Sequence, residues 1–177
     1  MRAYQDMVYS TAVRLLGNDA QAEDIAQEVF VRAYGHFDEL RMSPTCGGWL
    51  KTVTTNLALN HLHRYRRRFR LFSEQLSAHE GEQADDDLEL QLPVPDTLLA
   101  EAATEQQRAL IENALRALPQ DQRMALVLYH FEDFSYQEIA ARLGASLAKI
   151  KTDIRRARLA LLPVLQSNGL APGCLQE

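Results

Sequence analysis

Apolar residues recur at helical spacing through the first third of the chain. In residues 4–15 they lie three, four, seven and eight positions apart, which places them on one face of a helix that ends at Gly17. Asp19 is the predicted cap of a second helix with the same spacing. The apolar positions of this second helix are Ala22, Ile25, Ala26, Val29, Phe30, Ala33, Tyr34 and Phe37. We expect the two apolar faces to pack together.

The segment 36–48 interrupts this pattern, because it contains Pro44 and two consecutive glycines. It is therefore predicted to be a loop. A third helix is expected to start near Trp49 and to continue into the basic run RYRRR at 64–68.

The last third of the chain predicts a second group of helices. Residues 110–118 have helical apolar spacing, and a further helix follows them. Ser135 and Glu138 form the sequence pattern of a capping box, which begins a short amphipathic helix that ends at Gly144. Another helix is predicted to start near Leu147, after a three-residue turn. Two short helices joined by a tight turn are the outline of a helix-turn-helix.

An acidic segment separates the two groups of helices. Residues 72–106 hold ten Asp and Glu and no Lys or Arg, and they contain too few apolar residues to offset the entropy lost on ordering. The sequence therefore predicts an all-α protein without a sheet. Two small helical domains at 1–70 and 107–166 are joined by an acidic flexible linker at 71–106, and a tail follows at 167–177.

This acidic segment also changes the interpretation of the net charge. The whole chain has 19 Lys and Arg against 24 Asp and Glu, and its formal net charge of −5 argues against nucleic-acid binding. Without residues 72–106, fourteen acids stand against all nineteen bases, which leaves +5. The predicted helical domains are therefore basic, as nucleic-acid-binding domains commonly are.

Several classes of function find no support in the sequence. No apolar run approaches the roughly 18 residues of a membrane span, and no apolar signal core follows Met1. Cys46 and Cys174 lack the paired spacing of a zinc site, and the five histidines show no metal-ligand spacing. No phosphate-binding glycine loop or nucleophile motif occurs. We expect no membrane insertion, metal, cofactor or catalytic site, and a cytoplasmic location.

The last predicted helix carries a basic face opposite its apolar stripe. At about 100° per residue this face contains Ala148, Lys149, Thr152, Arg155 and Arg156. A recognition helix needs such a layout, because one face holds the domain while the other reaches bases and phosphates in the major groove. A merely solvated face is the alternative. Lys149 and Asp153 lie four positions apart and are expected to form an ion pair. The alternative is that Asp153 reads a base by accepting a hydrogen bond from a cytosine amino group.

The third helix carries a polar stripe formed by Asn56, Asn60, His63 and Arg67. Beside the aromatic ring of Trp49, these side chains suit phosphates and bases that have left the stack. The alternative is a solubilising helix end, with Trp49 as a core anchor.

The second helix carries acidic and amide side chains opposite its apolar face, at Glu23, Asp24, Gln27 and Glu28. Asp24 and Glu28 are like charges four positions apart, which costs about 0.2–0.5 kcal/mol on a helix. The helix dipole favours acids near the N-terminus, but Glu28 lies too far along the helix for this explanation. The pattern therefore predicts a basic protein partner.

Six motifs occur in an order that resembles one protein family. They are AEDIAQEVF at 22–30, WL at 49–50, NLALN at 56–60, the arginine run at 64–68, LP with SYQEIA at 118–119 and 135–140, and RAR at 156–158. Over about 1–70 and 107–162 the chain resembles the bacterial extracytoplasmic-function (ECF) sigma factors. It departs from their usual pattern at Lys149, where Thr is common, and at Asp153, where Arg is common.

The resemblance implies sigma domains two and four, which bind core RNA polymerase and direct it to promoters. Polymerase contact is implied for Glu23, Asp24, Gln27 and Glu28. Melting and reading of the minus-10 element, on the melted non-template strand, is implied for Trp49, Asn56, Asn60, His63, Arg64, Arg67 and Arg68, with the loop 36–48. Contact with the double-stranded minus-35 element is implied for Ser146, Lys149, Lys151, Thr152, Arg155 and Arg156. An anti-sigma factor is a further partner common in the family.

Two other functions fit part of the pattern. A stand-alone helix-turn-helix regulator accounts for the second domain but gives no role to the acidic face or the polar stripe, and it should bind duplex DNA unaided. A helical protein-protein adaptor should show no DNA dependence.

Overall fold

A computed structural model describes residues 2–73 and 105–168, and within these two ranges the secondary structure is helical, without a β-strand. This confirms the all-α prediction. The chain divides into two separately packed units, here called unit 1 and unit 2. Most of the predicted linker 71–106 and of the tail 167–177 lies outside the described residues.

Within residues 2–73, unit 1 contains four helices and an N-terminal 3-10 turn, Arg2–Tyr4. The helices are α1 (Gln5–Leu16), α2 (Asp19–Gly35), α3 (Phe37–Leu40) and α4 (Cys46–Ser73). As predicted, α1 packs against α2, and both pack against α4. The core includes Val8, Leu15, Val29, Leu50 and Ala58, all buried. Each large apolar side chain buried in this way contributes about 1.5–3 kcal/mol.

The junction of α1 and α2 differs from the prediction at one residue. Gly17 has a φ of +66° and donates its N–H to the Val13 carbonyl at 2.7 Å, which ends α1 as expected. The next residue, Asn18, is extended, and its side chain accepts from the Gln21 N–H at 3.0 Å. Asn18 is therefore the cap, and the prediction of Asp19 was wrong. Asp19 instead accepts the Tyr9 hydroxyl at 2.9 Å.

Two residues assigned to the apolar face of the second helix are exposed. Tyr34 is 77% exposed and Phe37 is 45% exposed, whereas Val29 and Ala33 are buried. Successive helical residues are rotated by about 100°, so Tyr34 points away from the direction of buried Ala33. Helix α2 then ends at Gly35, before a further turn could bring another residue onto the buried face. Phe37 belongs to the separate helix α3.

The predicted loop 36–48 contains helix α3, and α4 begins at Cys46 instead of near Trp49. The glycines that indicated a loop are thus helical. A Cβ atom on Gly47 would lie 3.1 Å from the Tyr4 ring, so the missing side chain allows the N-terminal turn to approach α4 closely. The close contact offsets the roughly 1 kcal/mol by which glycine disfavours a helix.

Unit 2 contains α5 (Glu105–Ala117), α6 (Gln120–His130), α7 (Tyr136–Leu143) and α8 (Leu147–Ser167). Helix α8 packs against α5, α6 and α7. Its buried positions include Ile150, Ile154, Ala157 and Leu161, as the apolar stripe predicted. Leu147, also assigned to that stripe, is 39% exposed. Within the two described ranges, no helix combines the length and apolarity that crossing a bilayer requires.

The turn between α7 and α8 has the local geometry that the sequence predicts. Ser135 and Glu138 form a reciprocal capping box at the start of α7. Gly144 ends α7 with a φ of +63°, and a Cβ atom placed there would meet nothing within 4 Å. Ser146 caps α8 by accepting the Lys149 N–H at 3.2 Å. Helices α7 and α8 therefore form a helix-turn-helix.

Candidate nucleic-acid interface

The outward face of α8 carries cationic side chains. Lys151, Arg155 and Arg156 are exposed and Thr152 is half-buried, while Ile150 and Ile154 on the other side are buried. This is the layout of a recognition helix, which needs one face for the domain and one for the major groove. The predicted Ser146 lies at the start of the same helix, where its oxygen caps the backbone.

Lys149, also predicted to contact DNA, is engaged by two carboxylates. Its Nζ lies 3.1 Å from Asp153 Oδ2, which confirms the predicted pair, and 3.3 Å from Asp121 Oδ2 on α6. Asp153 is buried, with 6% of its surface exposed, so it does not form part of the open basic face. Desolvation lowers the pKa of Lys149, but hydrogen bonds and attraction from Asp153 and Asp121 outweigh it and raise the pKa above its ordinary value.

The RAR motif at 156–158 divides between two environments. Arg156 is exposed on α8, whereas Arg158 donates through Nε to His130 Nε2 at 3.2 Å. The Arg158 guanidinium also lies 5.4 Å from the centre of the Tyr129 ring. Because a guanidinium only donates, the Nε2 atom of buried His130 acts as the acceptor. Arg158 thus connects α8 to α6.

The polar stripe of α4 is open to solvent along its described part. Asn56, Asn60 and Arg64 are exposed and His63 is half-buried, while Leu57, Ala58, Leu59 and Leu62 are buried. Arg67 and Arg68 belong to the same helix, but their side chains lie outside the described part of the chain. Thr54 and Thr55 are buried and bond to carbonyls four residues back, so their hydroxyls are satisfied within α4.

Trp49 extends this stripe toward the start of α4. Seven residues before Asn56, it lies within about 20° of the same face. Its ring is half-buried, and its centroid lies 5.7 Å from that of His36 at an interplanar angle of 56°. The contact brings the segment 36–48 beside the stripe. From Trp49 to Asn60 the surface is about 16 Å long, comparable to roughly five stacked bases at 3.4 Å each.

The acidic face of α2 is also exposed, at Glu23, Asp24, Gln27 and Glu28. The Glu28 carboxylate accepts from Arg32 Nε at 2.9 Å, one turn along the same helix. A basic group therefore does face Glu28, although it comes from α2 itself. The side chains of this pair are 52% and 49% exposed, so both remain accessible to a partner.

Sequence reasoning missed two parts of these surfaces. Val31 and Tyr34 are large side chains that are 69% and 77% exposed on α2, about one and two turns beyond Gln27 and Glu28. The sequence offered a signal for Val31, which lies off the apolar stripe. Asp121 was also missed, because nothing in its linear spacing connects it to Lys149. In the described ranges, no group of three or more His, Cys, Asp or Glu is arranged to hold a metal ion.

The chain matches two protein-family models. Residues 1–68 match Sigma-70 region 2, and residues 108–161 match Sigma-70 region 4. Together these matches cover unit 1 through the basic run of α4, and unit 2 through most of α8.

Several curated proteins similar to this chain are named as ECF RNA polymerase sigma factors. The ECF RNA polymerase sigma factor SigE of Mycolicibacterium smegmatis is 35% identical over 158 residues, which are 89% of this chain and 57% of that protein. The chain thus spans little more than half the length of that relative. The ECF RNA polymerase sigma factor SigW of Bacillus subtilis is 31% identical over 160 residues, covering 89% and 82%. The ECF RNA polymerase sigma-E factor of Escherichia coli K12 is 30% identical, covering 89% and 80%.

A similar solved structure is the sigma factor RpoE in complex with the anti-sigma factor NepR from Bartonella quintana. It is 26% identical, covers 93% of both chains and has a TM-score of 0.46.

Proposed function

The chain belongs to the ECF sigma factors of RNA polymerase, and on that premise we propose that it binds the core polymerase and directs it to promoters through two DNA-reading units. Residues 1–70 act as sigma domain two, 71–106 as an acidic linker and 107–166 as sigma domain four. The tail 167–177 receives no role. The protein performs no covalent chemistry, and its place of action is the cytoplasm, where polymerase and promoter DNA are found.

One observation carries the proposal: two separately packed units each present a surface suited to nucleic acid. Discrimination of about 1–3 kcal/mol per good base contact is too small for one unit to select a promoter among all genomic sequences. Two DNA-binding units in one chain add their free energies of discrimination. A flexible linker of roughly 35 residues has a root-mean-square span of about 32 Å and an extended length of about 115 Å, enough for one to three turns of DNA.

Unit 1 is assigned to the minus-10 element and to strand separation. The exposed amides of Asn56 and Asn60 can hydrogen-bond base edges, and Trp49 can stack on a base that has left the duplex. Arg64, Arg67 and Arg68 follow along the helix sequence and are assigned to the phosphates, together with His63. The His36–Trp49 ring contact supports a contribution from 36–48.

Unit 2 is assigned to the minus-35 element. Lys151, Thr152, Arg155 and Arg156 line the outward face of a capped recognition helix. The start of α8 carries Ser146, whose hydroxyl can still donate to a phosphate while its oxygen caps the helix. Lys149 belongs to the set predicted from the sequence, but its ammonium is engaged by Asp121 and Asp153.

The acidic face of α2 is assigned to the polymerase. Glu23, Asp24, Gln27 and Glu28 are exposed, and Val31 and Tyr34 extend this surface with apolar area. A charged rim beside an apolar centre is typical of protein–protein interfaces. The family resemblance adds an anti-sigma factor as a second protein partner, without assigning residues to it.

Run-off transcription tests the proposal. The full chain is added to purified core polymerase on a promoter library, with core alone as the control. We expect transcripts that start at defined sites and require the added chain. No transcript above core alone would contradict the function.

The same reaction distinguishes the two rival functions. A stand-alone regulator binds duplex fragments tightly without core polymerase, whereas a sigma factor gains promoter binding when core is present. A protein adaptor leaves transcription and DNA binding unchanged.

A further inference from the structure

Three charged side chains connect the start of the recognition helix to its neighbour in unit 2. Lys149, in the first turn of α8, lies 3.1 Å from Asp153 on the same helix and 3.3 Å from Asp121 on α6. Asp121 stands in the first turn of α6. The Lys149 ammonium therefore connects α8 to α6 through Asp121, and it connects the first turn of α8 to the next through Asp153. We call these three residues the Lys149 link.

The burial of Asp153 makes this link more than a surface ion pair. The Asp153 side chain is 8% exposed, whereas Lys149 and Asp121 are each 42% exposed. A carboxylate taken out of water is costly unless a cation and hydrogen bonds compensate it. Asp153 therefore holds the Lys149 ammonium at the protein surface beside α6. The raised pKa of Lys149 agrees with an ammonium that remains charged within the link.

The link also reduces the attraction between Lys149 and DNA. Two carboxylates surround one ammonium, so the three side chains together carry a net charge of −1. A phosphate that approached Nζ would meet both carboxylates, and like charges near phosphate repel. Lys151 differs, because it is exposed and forms no ion pair with any residue in the described ranges.

Resting on the proposed function of α8 as the minus-35 reader, we propose that Lys149 is a positioning residue and not a DNA contact. Together with Asp121 and Asp153, it fixes the first turns of α8 against α6. It thereby sets the angle at which Lys151, Arg155 and Arg156 meet the groove. Lys151, Arg155 and Arg156 then contact DNA without a contribution from Lys149.

The salt dependence of binding separates a positioning lysine from a phosphate contact. Each phosphate contact contributes about 0.9 to the slope of log affinity against log salt concentration. The probe is the best duplex promoter recovered in the run-off assay, bound by holoenzyme containing the full chain. We expect Lys151→Met to lower the slope by about 0.9, and Lys149→Met to leave the slope unchanged while weakening binding at every salt concentration.

A second pair of variants tests whether Lys149 acts through Asp121. Asp121→Asn should weaken promoter binding more in the parent chain than in the Lys149→Met chain, where the link is already broken. Lys149→Arg keeps a cation between both carboxylates and should restore most of the affinity. If Asp121→Asn instead strengthens binding and steepens the slope, Lys149 contacts a phosphate once the Asp121 carboxylate is removed. This result would contradict the positioning role.

A loss of slope in Lys149→Met equal to that in Lys151→Met overturns the proposal. If neither variant nor Arg156→Met changes the slope, α8 does not contact DNA, and it is the proposed function that fails. The link is then judged on thermal unfolding of the full chain. Asp121→Asn should lower the unfolding midpoint more in the parent than in Lys149→Met, and equal losses in the two chains would exclude the link.

Discussion

The acidic side chains of α2 and those of unit 2 serve opposite purposes. On α2, Glu23, Asp24 and Glu28 are exposed, and Glu28 pairs with Arg32 of its own helix. In unit 2, Asp121 and Asp153 both face Lys149 and thereby join two helices. The difference shows that formal charge on a helix face does not by itself indicate a binding surface. What distinguishes the two sites is burial and contact with a second helix. Asp153 is buried and the Lys149 link joins α8 to α6, whereas the Glu28–Arg32 pair is exposed within α2.

The same contrast applies to the two polar surfaces assigned to DNA. The amides of the α4 stripe are exposed, while α8 uses Lys149 and Arg158 for contacts with α6. Substitutions on α4 and α2 should therefore impair binding with little change in stability. Substitutions in the Lys149 link should affect stability and helix position first.

The largest expected effect concerns the α4 stripe. Replacing Asn56 and Asn60 together by Ala should slow open-complex formation on duplex promoter at least tenfold, because each lost base contact costs about 1–3 kcal/mol. On a template already mismatched at the melting site the loss should be smaller, since the unstacking cost has been removed. The measurement is the rate of open-complex formation on both templates.

Gln5→Ala is the matched control for this change, because Gln5 is an exposed amide of unit 1 on a different helix, α1. Equal losses on the two templates would instead indicate a general phosphate contact.

The next effect concerns the polymerase. Reversing the charge of both Asp24 and Glu28 to Lys should weaken binding to core by about tenfold, because attraction is replaced by repulsion. The free energy of unfolding should change little, since both side chains are exposed. Fluorescence titration of core with labelled chain gives the affinity. Asp6→Lys, an exposed acid on α1, controls for net charge, and the same loss in that variant would refute the interface.

A smaller effect should distinguish the two kinds of acid directly. Asp153→Asn should cost about 1 kcal/mol of unfolding free energy, because a buried charge pair loses one partner. Glu23→Gln, an exposed acid on α2, should change the same quantity by less than about 0.5 kcal/mol. Urea unfolding of the full chains provides the measurement. Equal costs in the two variants would remove the distinction between the two acidic sites.

The smallest effect concerns the start of α7 in acid. Hydrogen bonds from the Ser135 N–H and hydroxyl, helped by Arg142, outweigh slight desolvation and hold the pKa of Glu138 below its ordinary 4.5. Because the folded-state pKa is lowered, the capping box stabilises the fold fully above pH 4.5 and is lost as the pH falls through the folded value. Thermal midpoints between about pH 3 and 6 should therefore fall less steeply in Glu138→Gln. Parallel curves for parent and variant would show that the box contributes nothing.

Local features of this fold were predictable because they depend on residues three or four positions apart. Apolar spacing identified the faces of α1 and α8, and Ser135 with Glu138 identified the start of α7. The Lys149–Asp153 pair was predictable for the same reason.

The packing of the α1 and α2 faces was predictable, but individual side-chain contacts between helices were not. Arg158 and His130 are 28 residues apart, and no period in the sequence connects them. The close approach of Tyr4 to Gly47 is visible only once the N-terminal turn and α4 are packed. For the candidate site, the sequence predicted the outward faces and the Lys149–Asp153 pair, but not the contacts of Lys149 and Arg158 with α6.

Gly144, in the turn that leads into α8, is constrained by handedness and not by space. Its φ of +63° disfavours any L-residue, yet a Cβ atom would meet no neighbour within 4 Å. An L-alanine at this position should cost about 1–2 kcal/mol. D-alanine has the mirror-image preference and should fit without strain. By restricting the unfolded chain, it should stabilise the turn by about 0.4–1 kcal/mol. An achiral residue thus stands where the fold is suited to a residue of the opposite chirality.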